Sequence, residues 1–235
     1  MTYEPRTIAL HCDLHHAPMP PDPGPVQRLH NEMFQTGAPP YSSFAVTPVG
    51  PLLSNPAPVP NRVSQVVFMA DQLQFRDEFA GLGYENFADR VQAIAGNYAE
   101  ARGFANYLGQ KVTLRSLITP KHYRDARQFL DRSMFRFRGH VGEEASTIAR
   151  YFDSPADLYG LRLAFPGPGL TPSNIGLRIE SYSADPRSLF VEVQGAFGTK
   201  DADQGPVDAA SHIHELYTFL ETRTLPFIQH FDKPL

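Results

Sequence analysis

The chain has 235 residues, of which 42% are hydrophobic and 20% charged, a balance typical of a globular protein. Its single cysteine, Cys12, excludes an intrachain disulfide framework, and the net charge of −4 argues against a dedicated nucleic-acid binder, because such proteins are usually basic. Residues 1–20 lack the apolar stretch of a secretory signal, and no run approaches the length of a membrane span, so we expect a cytoplasmic protein without a membrane partner.

The first half is predicted to contain a strand, a short helix, a group of strands and a long helix. Residues Thr7 to Leu14 alternate in polarity with a period of two, which predicts a strand. The prolines from Pro18 to Pro25 exclude a regular element there, although Pro25 suits the first position of a helix. Further strands are predicted within 41–55, 62–68 and 73–79. A long helix is predicted from Tyr84 to about Gly103, with Phe87, Val91, Ile94 and Tyr98 as its apolar stripe.

The second half begins with a predicted strand over 111–118. Thr119 and Pro120 are typical of a helix start, and residues 136–151 have no counterpart in the first half. Three strands are predicted at 158–165, 175–182 and 188–197, and the turn at Asp185 and Pro186 joins the last two as a hairpin. A final helix is predicted from about Val207, with Pro226 expected to kink or end it.

Two short helical segments resemble each other. Residues 27–34 read QRLHNEMF and residues 128–135 read QFLDRSMF, and the elements around each segment follow the same order. This pattern predicts one domain made of two repeats, approximately 1–105 and 106–235.

The element order predicts an α+β fold. Long amphipathic helices would cover one face of a curved antiparallel sheet and leave the other face open. This connectivity resembles the TATA-box-binding-protein-like fold, a duplicated saddle-shaped sheet with helices on its convex side.

Three segments, 84–102, 111–119 and 188–231, resemble a sporadically distributed family of uncharacterised bacterial proteins of about 250 residues. The family pattern ends the middle strand with a run like Arg-Tyr-Ile-Asn, whereas here Arg115 is followed by Ser116, Leu117 and Ile118. The resemblance implies no known activity and no catalytic residues.

His11, Asp13 and His15 form one candidate site. Residues two apart on a strand project from the same face, and two imidazoles with a carboxylate are ligands that Zn²⁺ or Fe²⁺ accepts. The alternative is the solvated face of a half-buried strand.

A basic stretch from Lys111 to Arg138 forms the other candidate. Phosphates could bind to its arginines and bases could stack on its aromatic side chains, while the alternative is a solvated helix face. The anion or nucleic-acid patch would consist of Arg115, Arg124, Arg127, Arg136 and Arg138.

The sequence contains no recognisable catalytic constellation. The leading hypothesis is therefore a non-enzymatic module, with neither catalytic residues nor a cofactor, that binds a protein or small-molecule ligand on an open sheet face. A metal-dependent hydrolase built on His11, Asp13 and His15, which would need a divalent metal, and a nucleic-acid binder that uses the basic stretch are the alternatives.

Overall fold

A computed structural model of the protein describes residues 3–37, 39–56, 59–131, 159–166, 174–198 and 208–234. The predicted α+β class is confirmed. The strands are β1 (Arg6–His15), β2 (Ser43–Thr47), β3 (Gly50–Ser54), β4 (Val63–Phe68), β5 (Gln72–Glu78), β6 (Gly109–Ile118), β7 (Gly160–Pro166), β8 (Asn174–Ser181) and β9 (Leu189–Gly198). The helices are α1 (Pro23–Gln35), α2 (Tyr84–Arg102), α3 (Ala126–Phe129), α4 (Ala209–Phe219) and α5 (Leu225–Phe231), with a π-helical turn at Leu220–Thr224 between the last two.

The described strands form one antiparallel sheet, in the order β2-β3-β4-β5-β1-β6-β9-β8-β7. At its centre β1 pairs with β6, from Arg6 opposite Leu117 to His15 opposite Gly109. Outward from this pair the order is β5, β4, β3 and β2 on one side and β9, β8 and β7 on the other. The first strand of each half of the chain therefore lies at the centre of the sheet.

One face of the sheet carries the apolar core. Leu10, Cys12 and Leu14 of β1 belong to the same buried cluster as Phe75 of β5 and Val193 of β9. Helices α1, α2, α3 and α4 bury their apolar side chains in this cluster, so they all cover the same face of the sheet. The predicted stripe of α2 is confirmed, because its members are all buried: Phe87, Val91, Ile94 and Tyr98.

Helices α2 and α4 also contact each other above the sheet. The rings of Tyr84 and Tyr217 stack with their centroids 3.6 Å apart. Helix α2 ends where Gly103 adopts a left-handed conformation with φ of 70°, which a glycine tolerates without steric cost.

Two predicted helix starts were wrong. Helix α1 begins at Pro23 within the proline-rich segment, because prolines in a first turn cost no hydrogen bond and the Asp22 side chain accepts from the Gly24 N–H at 2.9 Å. Helix α3 begins at Ala126 instead of Thr119. Asp125 is its cap and accepts from the Gln128 N–H at 2.8 Å.

Pro226 does not end the last helix. The π-helical turn at Leu220–Thr224 precedes it, and α5 continues through it to Phe231. The wider turn accommodates a residue that has no N–H to donate. The segment at 136–151, which has no predicted counterpart in the first half, lies outside the described residues.

The strands predicted within 41–55 are confirmed as β2 and β3, which form a hairpin. They pair from Ser43 opposite Ser54 to Thr47 opposite Gly50, so Pro48 and Val49 form the turn. Gly50 has a φ of 144°, and a Cβ at this position would lie 2.0 Å from the Phe68 carbonyl oxygen. Only glycine fits there, because its neighbour is rigid backbone.

Candidate functional site

The face of the sheet opposite the core, here called the open face, carries mainly polar side chains. The register places His11 of β1 opposite Arg76 of β5 and Thr113 of β6, and directly paired residues share a face. None of the described helices packs its buried residues on this face. Its central members are His11, Asp13, His15, Gln74, Arg76, Glu78, Lys111, Thr113, Arg115, Arg178, Glu180, Glu192 and Gln194.

Two polar contacts join β1 to β5 on the open face. His11 Nε2 lies 2.7 Å from Glu78 Oε1, and Arg76 Nη1 donates to Asp13 Oδ1 at 2.8 Å. His11 is only 9% exposed, whereas His15 at the strand end is exposed. The predicted common face of His11, Asp13 and His15 is therefore confirmed.

The His11 imidazole is held towards its neutral form. Burial lowers its pKa below the ordinary value of 6.5, and the nearby positive charges of Arg76 and Arg115 lower it further. The Glu78 carboxylate acts in the opposite direction, since it attracts the protonated ring. The net direction is downward, because a buried imidazolium loses its hydration.

The contacts of His11 with Glu78 and of Asp13 with Arg76 occupy side chains that would have to bind the predicted metal ion. A metal at this site would compete with Glu78 for His11 and with Arg76 for Asp13. Within the described ranges, no three or more His, Cys, Asp or Glu side chains are grouped so that they could hold a metal ion. Binding of a divalent metal to His11, Asp13 and His15 stays a prediction.

A second set of polar contacts lies on β6, β9 and β8. Arg115 Nε donates to Glu192 Oε2 at 2.7 Å across the β6–β9 pair. Arg178 makes a bidentate contact with Glu180, with Nε to Oε2 at 2.7 Å and Nη2 to Oε1 at 2.5 Å. Bidentate arginine–carboxylate pairs fix the orientation of both side chains, so this half of the open face is preorganised.

Two cations on the open face form no ion pair with any described residue. They are Lys111 on β6 and Arg162 on β7, and both are exposed. Because the four acidic side chains Asp13, Glu78, Glu180 and Glu192 already contact basic or imidazole partners, these two charges are available to a bound partner.

The predicted basic patch is divided by the sheet. Arg115 lies on the open face, whereas Arg124 and Arg127 lie at α3, which packs on the core side. Arg124 contacts Asp125 at 3.0 Å, and the Arg127 guanidinium lies 6.0 Å from the centre of the Tyr159 ring. Arg136 and Arg138 fall outside the described residues.

A separate polar cavity of about 340 Å³ lies at one end of β4 and β5, lined in part by Ser64, Asp77 and Arg90. Burial raises the pKa of the Asp77 carboxyl. Arg90 donates to the Ser64 hydroxyl at 3.2 Å, and its guanidinium lies 4.9 Å from the centre of the Tyr41 ring. These contacts give the polar groups partners within the protein, which favours a structural role.

Sequence reasoning missed the partners that organise the open face, namely Arg76, Glu78, Arg178, Glu180 and Glu192. Their signal is the alternation in β5, β8 and β9, where each of these five residues follows a buried one. The alternation identifies the face of each side chain, but the strand order is needed to identify its neighbour.

In the part of the chain that the structure describes, no helix is both long and apolar enough to cross a membrane. The chain matches no protein-family model, and comparisons with curated proteins and with solved structures give no match either.

Proposed function

We propose that the protein is a non-enzymatic binding module and that its partner, a protein or small-molecule ligand, binds to the open face. The observation that carries this proposal is the division between the two faces of the sheet. Helices and core occupy one face, while the opposite face presents ordered polar groups on rigid strands. Groups held by a scaffold lose little conformational entropy on binding, which favours association.

The chemistry of the open face favours a polar partner with acidic groups. Lys111 and Arg162 are exposed and form no ion pair with a described residue, so they offer positive charge. The contacts of Arg115 and Arg178 keep these two further cations in fixed positions. Gln74, Thr113 and Gln194 add hydrogen-bonding groups between them. Such surfaces form wet interfaces in which charge complementarity sets the specificity.

We also propose that the fold is a TATA-box-binding-protein-like duplication. Each half of the chain contributes a first strand to the centre of the sheet, and its last strand lies directly beside that first strand. A helix follows the first strand in each half, and a longer helix follows the last. The first half has five described strands and the second has four. The shared order of first strand, helix, remaining strands and longer helix supports one ancestral unit repeated around the β1–β6 pair.

The binding proposal is tested by charge reversal on the open face. A Lys111→Glu, Arg162→Glu double variant and wild type would be immobilised and exposed to a soluble extract of the cells that produce the protein. We expect wild type to retain a reproducible partner that the double variant loses. An Arg124→Glu, Arg127→Glu variant is the matched control, because it makes the same charge change on the core side of the sheet. Equal retention by all three proteins would contradict the proposal.

Two measurements address the alternative functions. Elemental analysis of untagged protein reloaded with zinc would support the metal-dependent hydrolase if the metal is stoichiometric and is lost in a His11→Ala, His15→Ala variant. Retention on immobilised nucleic acid that falls steeply with salt would support the nucleic-acid alternative.

A further inference from the structure

Strand β2 forms an edge of the described sheet, and no other described strand pairs with its outer side. Thr47 and Gly50 flank a two-residue turn, so they form a hydrogen-bonded pair. From this pair onward, non-hydrogen-bonded and hydrogen-bonded pairs alternate along the two strands. Ala45 and Ser43 therefore direct their backbone groups towards β3. The N–H and C=O groups of Phe44 and Val46 point away from β3, where the described sheet has no further strand.

The position of Pro51 agrees with this assignment of the backbone directions in the β2–β3 pair. Pro51 lies opposite Val46, so its nitrogen faces β4 and not β2. The described pairing of β3 with β4 begins only at Leu52, and the missing N–H of Pro51 therefore leaves no bond unmade.

The segment around this edge is free of charge. None of the residues from Met33 to Asn61 is an aspartate, glutamate, lysine or arginine, although 20% of the chain is charged. Natural sheets protect solvent-exposed edges with charged side chains, above all lysine. An edge without that protection is typical of a strand that is covered by a partner.

Apolar side chains are also exposed at this edge. Val46 is 63% exposed, Val49 55% and Phe34 at the end of α1 46%. The His30 ring lies 4.8 Å from the Phe34 ring and 6.2 Å from the Phe44 ring, so the apolar group continues from the strand to the helix. Burying this group would release water from its surface and stabilise a complex.

We propose that β2 pairs with β2 of a second copy of the chain, antiparallel and with the twofold axis at Ala45. In this register Phe44 of each copy both donates to and accepts from Val46 of the other. Ser43 lies opposite Thr47, and every pair joins side chains of the same face. The strand is complementary to itself under twofold symmetry. Because it carries no charge, the symmetric pairing places no charge opposite a like charge.

The pairing would extend the sheet through both copies. Because directly paired residues share a face, the two open faces lie on the same side of the joined sheet. If the open face binds as proposed above, the dimer presents its partner with two sites in one surface. The pairing itself does not depend on that function, since it uses only the edge of β2 and the exposed end of α1 at Phe34.

The register is tested with a single engineered cysteine. Residues at a twofold, non-hydrogen-bonded position have Cα atoms about 4.5 Å apart, which a disulfide can bridge. We expect an Ala45→Cys variant to form a covalent dimer under mild oxidation. The matched control is Ser43→Cys, whose copies would lie about 13 Å apart at four residues of separation along the strand and should stay unlinked. The native Cys12 is fully buried and its pKa is raised to about 12, so it does not compete.

The interface is tested with exposed-valine variants, measured by analytical ultracentrifugation at tens of micromolar. We expect wild type to be a dimer, and Val46→Lys and Val46→Glu each to be a monomer, because the two like charges lie on the same face, diagonally across the axis at about 7–8 Å, and replace apolar side chains in the interface. An equimolar mixture of these two variants should recover the dimer, a result that general misfolding would not give. Leu108→Lys alters a residue that is 58% exposed elsewhere and should leave the dimer intact. A monomeric wild type, or a dimer that Val46→Lys does not weaken, would overturn the proposal.

Discussion

His11 combines burial with a carboxylate contact at the centre of the sheet. Because its pKa is lowered in the folded protein, the unfolded chain binds the proton more readily just below the ordinary pKa of about 6.5. The free energy of unfolding should therefore fall as the pH decreases through this value, and level off below the folded pKa. We expect a His11→Gln variant to lose less stability than wild type between pH 7 and pH 5, as measured by urea unfolding.

The control for this experiment is His15→Gln. His15 lies on the same face of the same strand but is exposed, so this variant should keep the acid sensitivity of wild type. If His11→Gln and wild type lose equal stability on acidification, His11 does not titrate as the structure indicates.

At the scale of single elements, the β2–β3 hairpin depends on one glycine. Gly50→Ala would place a Cβ 2.0 Å from the Phe68 carbonyl oxygen at a φ of 144°. Strained backbone of this kind costs about 1–3 kcal/mol. We expect the variant to unfold at correspondingly lower urea concentration. Gly37→Ala, at a φ of 85° but with no atom near its Cβ position, carries the strain of a positive φ without the close approach and should lower stability less. Equal effects of the two substitutions would show that the close approach does not govern the turn.

The packing of α2 and α4 on the sheet depends on one buried apolar stripe in each helix. Ile94 of α2 is 1% exposed and Leu216 of α4 is fully buried. Truncation of either side chain to alanine should lower the free energy of unfolding by about 2–5 kcal/mol, because it removes apolar contacts and leaves a cavity. Leu108→Ala, at an exposed position, is the matched control, and an unchanged melting temperature in Ile94→Ala would show that α2 does not face the core.

For the whole molecule, the central β1–β6 pair joins the two halves of the chain. Residues 1–105 and 106–235, produced as separate fragments in one cell, should associate and co-purify, because each fragment alone exposes a long unpaired edge of β1 or β6. Circular dichroism of the complex should match that of the intact chain. A first fragment that is monomeric and as stable alone as in the complex would contradict this dependence.

The local elements were largely predictable. The alternation in residues 7–14 and the stripe of α2 are periodic patterns, and both were confirmed. The starts of α1 and α3 were not, because several residues can cap a helix and the surrounding fold selects one. In the structure Asp22 and Asp125 accept the capping hydrogen bonds. By sequence alone, Pro25 and Thr119 were equally suitable as helix starts.

The candidate site was predictable only in part. The period of two placed His11, Asp13 and His15 on one face before any partner was known. Their neighbours Glu78 and Arg76 are 67 and 63 residues away in the chain, and no local pattern connects them. The sequence thus indicated which side chains face outward but not which of them meet.

The sequence by itself determined the class of the fold, because periodicity and turn residues act between near neighbours. It determined the polar character of one sheet face for the same reason. Only the tertiary structure decided the strand order, the central position of β1 beside β6, and the ion pairs that occupy the polar face. These features arise from contacts between distant segments, and such contacts depend on how all the apolar faces are buried together.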